Sequence, residues 1–106
     1  MAKYMIQASY TQSGVKGLLK EGGTGRRDAV AGLLGSLGGS LEGFYFAFGE
    51  DDVFVIADLP DNVTAAAIGL TVAAAGAVTT NTVVLLTPEE IDAATKKSVD
   101  YRPPGA

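Results

Sequence analysis

The stretch Leu41 to Asp61, LEGFYFAFGEDDVFVIADLPD, constrains this chain more than any other. Two alternating runs flank the short turn Gly49-Glu50-Asp51, and Pro60 ends the second, so the pair spells an antiparallel hairpin. Alternation sends successive side chains to opposite faces of a sheet. The first run, Leu41 to Phe48, places Leu41, Tyr45 and Ala47 on one face and Phe44, Phe46 and Phe48 on the other. The second, Asp52 to Leu59, sets Val53, Val55, Ala57 and Leu59 against Phe54 and Ile56. Both faces thus carry large apolar side chains, each gaining about 1.5–3 kcal/mol when it leaves water. The hairpin needs cover on two sides.

The remaining segments supply cover for one. Lys3 to Tyr10 alternates Tyr4, Ile6, Ala8 and Tyr10 with Lys3, Met5, Gln7 and Ser9, a strand with one clearly apolar face. Thr11 and Ser13 offer N-cap oxygens before Val15, Leu18 and Leu19 at helical spacing. The run GGTGRR, Gly22 to Arg27, interrupts that helix, because glycine weakens it by about 1 kcal/mol per residue. Val30, Leu33, Leu34 and Leu37 resume the helical period until Gly38-Gly39.

After the hairpin, Asp61 or Asn62 caps a helix from Val63 to about Ala75, and Gly76 closes it. Only Thr64, Gly69 and Thr71 relieve its apolar surface, which predicts burial on more than one side. Val78 to Leu86 is a strand rich in Val and Thr. Thr87, Pro88 and Glu90 spell a capping box with proline at the first helical position, and this last helix runs to Lys96-Lys97. The tail, residues 99–106, is extended and stiffened by Pro103 and Pro104.

The order is strand, helix, strand, strand, helix, strand, with an extra C-terminal helix. That is an α+β chain of the ferredoxin-like βαββαβ kind, one domain over residues 1–106. Right-handed crossovers put both helical connections on the same side of the sheet. Cover for the other side must come from elsewhere, and a second copy packed sheet to sheet is the economical source. A hydrophobic fraction of 47% in only 106 residues points the same way. The sequence predicts a homodimer or a higher homo-oligomer.

Composition removes whole classes of chemistry. Eight basic against twelve acidic residues leave a net charge of −4 and no basic stripe, so no nucleic-acid partner is expected. The chain has no cysteine, histidine or tryptophan, which excludes disulfides, thiol catalysis, Cys/His zinc sites and a histidine base or haem ligand. No cofactor is expected. The start, MAKYMIQASY, alternates instead of showing a basic region and an apolar core, so it does not read as a secretory signal. The uncharged stretch Asn62 to Pro88 is rich in Ala, Gly and Thr and is split by Gly76, so no membrane span is expected. The default location is cytoplasmic.

The segment FAFGEDDVFVIADLPDNVTAAA resembles the GYD domain family of small bacterial proteins. The beginning, MAKYMIQASYTQSGVKGLLKEGG, and the ending, TTNTVVLLTPEEIDAATKKSVDYRPPG, are similar to the same family, so the resemblance spans nearly the whole chain. The family takes its name from a Gly-Tyr-Asp signature. The match here is Gly49-Glu50-Asp51-Asp52, with Asp52 in the aspartate position and Asp51 where tyrosine is usual. The resemblance implies a dimeric α+β barrel of ferredoxin-like type and no particular activity. Relatives by fold include cofactor-free monooxygenases, haem-handling enzymes and small-ligand sensor domains, among which fold does not choose.

Three constellations are candidates for function. The acidic knot Glu50-Asp51-Asp52, with Asp58 and Asp61, offers carboxylates to a hard cation, but lacks the spacing of a calcium loop and reads more simply as a solvated tip, with no metal assigned. Arg26 and Arg27 in GGTGRR offer guanidinium groups to an anion, without the glycine spacing of a phosphate loop. Gln7, Ser9, Tyr10, Glu42, Tyr45, Asp52, Asp58 and Asn81 are polar groups on or beside strands, placed to line a ligand cavity between sheet and helices or inside a dimer barrel. The reading that follows is a small homo-oligomer that binds a small molecule or serves as a regulatory or structural module. The alternative is a cofactor-independent monooxygenase or isomerase with Tyr, Asp or Glu as its acid and base.

Overall fold

The computed structural model describes residues 1–106. The elements follow as β1 (Ala2–Tyr10), α1 (Gln12–Glu21), α2 (Gly23–Ser36), β2 (Ser40–Phe46), β3 (Val53–Leu59), α3 (Asn62–Ala75), β4 (Val78–Leu85) and α4 (Pro88–Thr95). The strands form one sheet in the order β2-β3-β1-β4, antiparallel at every pair. This is the ferredoxin-like α+β order that the sequence predicts, with the first connection made of two helices.

The break between those helices is narrower than GGTGRR suggested. Gly22 alone leaves the helical path, with φ 81°, and the helix resumes at Gly23. Positive φ is open to glycine at no steric cost, so one residue suffices to turn the chain. Thr11 caps α1 through its hydroxyl, which accepts from the Gly14 N–H. Asp61 caps α3, accepting from the Thr64 N–H at 2.8 Å and from its hydroxyl at 2.7 Å, and these donors hold the carboxyl below its ordinary range. The predicted capping box of α4 forms in full: the Glu90 N–H donates to the Thr87 hydroxyl, and the Thr87 N–H donates to the Glu90 carboxylate.

The core lies on one side of the sheet. Tyr4 and Ala8 of β1 and Val53, Val55, Ala57 and Leu59 of β3 point toward Leu34 of α2 and Ala65 and Ile68 of α3. The buried Tyr4 hydroxyl donates to the Asn62 side chain at 2.5 Å, which removes the cost of hiding it. The central strands β1 and β3 carry most of this core because they are flanked by strands on both edges.

Three expectations change. Leu41 was assigned to the face of Tyr45, but Glu42 is an extra residue between the pairs Leu41–Ala57 and Gly43–Ile56. That bulge turns Leu41 over, and it packs with Phe44 against the core while Tyr45 faces the other way. Second, α3 is buried along one stripe only: Val63 and Leu70 on its outer side are 78% and 74% exposed. Third, the side of the sheet without helices is mixed, not uniformly apolar. Met5, Phe54, Ile56 and Val83 share it with Lys3, Gln7, Ser9, Asp58 and Asn81.

Beyond β4 the chain leaves the body. The longest axis is 56 Å and the radius of gyration 16.9 Å, against about 13 Å for a compact chain of this length. No helix is long and apolar enough to cross a membrane.

Candidate functional site

The helix-covered face does not close completely. Between β1, β3 and β4 on one side and α2 and α3 on the other lies a cavity of about 70 Å³. Val30 and Leu33 of α2, Ile68 and Val72 of α3, and Phe44 and Val55 of the sheet give it an apolar wall. Its polar groups are few: Tyr10, Arg26, Thr80 and Thr82. The β1–β4 register explains the threonines, since Thr80 sits opposite Ala8 and Thr82 opposite Ile6, both on the covered face.

Tyr10 also borders a second space, an open groove of about 400 Å³ under the β2–β3 turn, lined by Val15, Leu18, Phe46, Phe48 and Asp52. Tyr10 therefore lines both an open apolar groove and an inner apolar cavity. The end of β1 puts it there, and Asp52 holds it: the Tyr10 N–H donates to the Asp52 carboxylate at 2.8 Å, and the Asp52 N–H donates to the Ala8 carbonyl at 2.9 Å. Burial pushes the Tyr10 phenol above its ordinary value, opposed by the Arg26 guanidinium beside it. The Glu21 and Asp52 carboxylates add to that rise, so at neutral pH this corner presents a protonated phenol with a guanidinium and two carboxylates around it.

The other predicted site residues separate into two groups. On the open side of the sheet, Asn81 donates to Gln7 at 3.1 Å, Ser9 donates to Asp51 at 3.2 Å, and Lys3 bridges Glu42 and Asp58. Tyr45 lies on the same side and is 68% exposed. These polar groups satisfy one another across neighbouring strands and do not converge on a pocket. The two arginines also part company: Arg26 faces the cavity, while Arg27 lies in solvent against Asp28. The acidic tip gathers no group of three or more metal-ligating side chains.

A family model for the GYD domain matches residues 4–95, from within β1 to the end of α4. The chain belongs to the GYD domain family. No curated protein matches it, and no solved structure does. In this GYD domain Asp52 ties the hairpin to the end of β1 and so positions Tyr10, whereas Asp51 accepts from the Ser9 hydroxyl.

Sequence reasoning named Tyr10, Arg26 and Asp52 but not Thr80, Thr82, Val30 or Val72 as their neighbours. A signal existed for the threonines: they alternate with Asn81, so they share a face with Val78, and that face is apolar on the paired strand. No local pattern could have announced that α2 and α3 leave a gap above them.

Proposed function

We propose that this GYD domain is a homo-oligomeric binding protein that takes a small, largely apolar molecule with one anionic end into the groove and cavity that Tyr10 lines. The apolar part would occupy the space between Phe46 and Val72, and the anionic end would meet Arg26 and the Tyr10 hydroxyl. One observation carries this reading: a guanidinium and a protonated phenol stand together at an apolar cavity, and the phenol also lines an open apolar groove. A charged side chain at such a place is rarely idle, because its partial burial is costly unless an opposite charge or strong acceptor arrives. The cavity alone is too small for a ligand, since binding sites usually span about 300–1,000 Å³, so the open groove is part of the site.

Binding without catalysis is the reading we favour. Asp52, the carboxylate tied to this corner, is engaged by the Tyr10 backbone, and burial keeps the phenol protonated, so neither is free to act as a base. The oligomer forms through the open side of the sheet, where Met5, Phe54, Ile56 and Val83 make an apolar centre with polar pairs around it. Such a pattern suits an interface that two equal copies close on each other.

Calorimetry with small aromatic and aliphatic carboxylates, each beside its neutral amide, tests the site. The acids should bind, and Arg26→Gln should weaken them about tenfold or more while leaving the amides unchanged, as loss of a charge-assisted hydrogen bond requires. If no acid or phenol binds at millimolar concentration, the proposal fails.

A further inference from the structure

Twenty-one residues follow β4 and do not return to the body. From Leu86 to Ala106 no residue is buried, and α4 makes no more than marginal contact with any other element. Yet the segment is not built for solvent. Leu86, Ile91, Val99 and Tyr101 are all largely exposed, Val99 by 79%. The helix starts with a capping box, a proline and two acids in its first turn, and still it is only eight residues long. Helices shorter than about 12–15 residues are marginal in water without tertiary support. A capped helix with no surface beneath it therefore calls for a surface from another molecule.

The size of the shortfall can be read from area. The chain exposes 7202 Å², while a compact folded monomer of 10.8 kDa exposes about 5,500 Å². The surplus, about 1,700 Å², is about twice the roughly 800 Å² that each partner gives to an ordinary interface. The arm, none of whose residues is buried, contributes to that surplus.

We propose that residues 86–106 form an arm that docks on a second copy of this chain, running antiparallel to that copy's own arm. Charge order supports this occupant. The arm begins with Glu89, Glu90 and Asp92, and its later half carries Lys96, Lys97 and Arg102 against one acid, Asp100. A two-fold axis lays the acidic start of one arm beside the basic end of the other, and the same operation brings the apolar side chains of the two arms together. A nucleic acid or an anionic membrane finds no net positive charge here. The proposal rests on the homo-oligomer reading above and adds the element that locks it.

Three measurements decide it. First, light scattering should show the full chain associated at micromolar concentration, and a chain ending at Leu86 at least tenfold weaker in association. That shorter chain keeps every buried residue, the last being Val78. Second, in the full chain, Glu89→Lys with Asp92→Lys should weaken association, as should Lys96→Glu with Lys97→Glu, and the combined variant should recover it. Third, Val99→Cys introduces the only cysteine, so a benzophenone label there should yield a covalent dimer of this chain. A full chain that stays single at about 100 μM sinks both this proposal and the oligomer reading. Unchanged association on shortening, with a label that reacts only within its own chain, sinks the arm alone. If the shortened chain does not fold, the charge reversals and the label decide.

Discussion

The two sides of this sheet are made from the same four strands and have opposite fates. On the covered side, Tyr4, Ala57 and Leu59 are at most 1% exposed, and no charged residue is buried among them. One residue along each strand, the open side alternates an apolar centre of Met5, Phe54 and Ile56 with the Lys3–Asp58 and Gln7–Asn81 pairs. The covered side is a core, where any polar group must be satisfied from within. The open side tolerates both water and apolar contact, as interfaces do, because its polar pairs are already complete before a partner arrives. The difference shows that the polar residues interspersed on the second face, not the apolar alternation alone, mark whether a face is sealed within the chain.

That contrast can be broken by paired substitutions. Leu59→Ala should lower the free energy of unfolding by about 2–5 kcal/mol, the usual cost of a cavity at a fully buried leucine. Ile56→Ala, on the same strand but the opposite face, should cost less than half as much in dilute, dissociated protein. Chemical denaturation of both variants measures the gap, and equal losses would mean that the two sides are one core.

A sharper probe leaves the core untouched. Ile56→Asp places a charge at the centre of the open side and should raise the dissociation constant of the proposed oligomer at least tenfold, while the unfolding midpoint of the separated chain changes little. Dilution followed by light scattering reads this directly. Unaltered association would assign the interface elsewhere.

The smallest effect lies at the rim of the open side. Hydrogen bonds to Glu42 first and Asp58 second raise the Lys3 ammonium above its ordinary 10.5. A base whose pKa rises on folding contributes stability that is complete below its unfolded value and disappears as pH climbs through the folded one. The wild type should therefore melt slightly above Lys3→Met up to about pH 10.5, and the difference should vanish at higher pH. Because the pair is solvent-screened, added salt should shrink the difference too.

Much of this was legible in the residues. Thr87-Pro88-Glu89-Glu90 announced α4 and its cap, Asp61 announced α3, and the Val/Phe alternation around Gly49-Glu50-Asp51 announced the hairpin, since caps, turns and strand alternation are local physics. Tyr10, Arg26 and Asp52 were named as candidates from residue type alone. Their meeting was not legible, because it depends on how far β1 runs past its partner and on where α2 begins after Gly22. The face of Leu41 was misread for a related reason: an inserted Glu42 shifts alternation by one residue, and a bulge leaves no mark in composition.

By itself the sequence determined the element order, the antiparallel hairpin, the ferredoxin-like class and the exclusion of thiol and histidine chemistry, because periodicity, capping and residue inventory act over a few residues at a time. Only the tertiary structure decided which apolar side is sealed, that α3 is covered along one stripe, that Arg26 and Arg27 point to different worlds, and that the last twenty-one residues stand clear of the body. Those outcomes depend on distances between segments far apart in the chain, and such distances follow from packing, which no local pattern encodes.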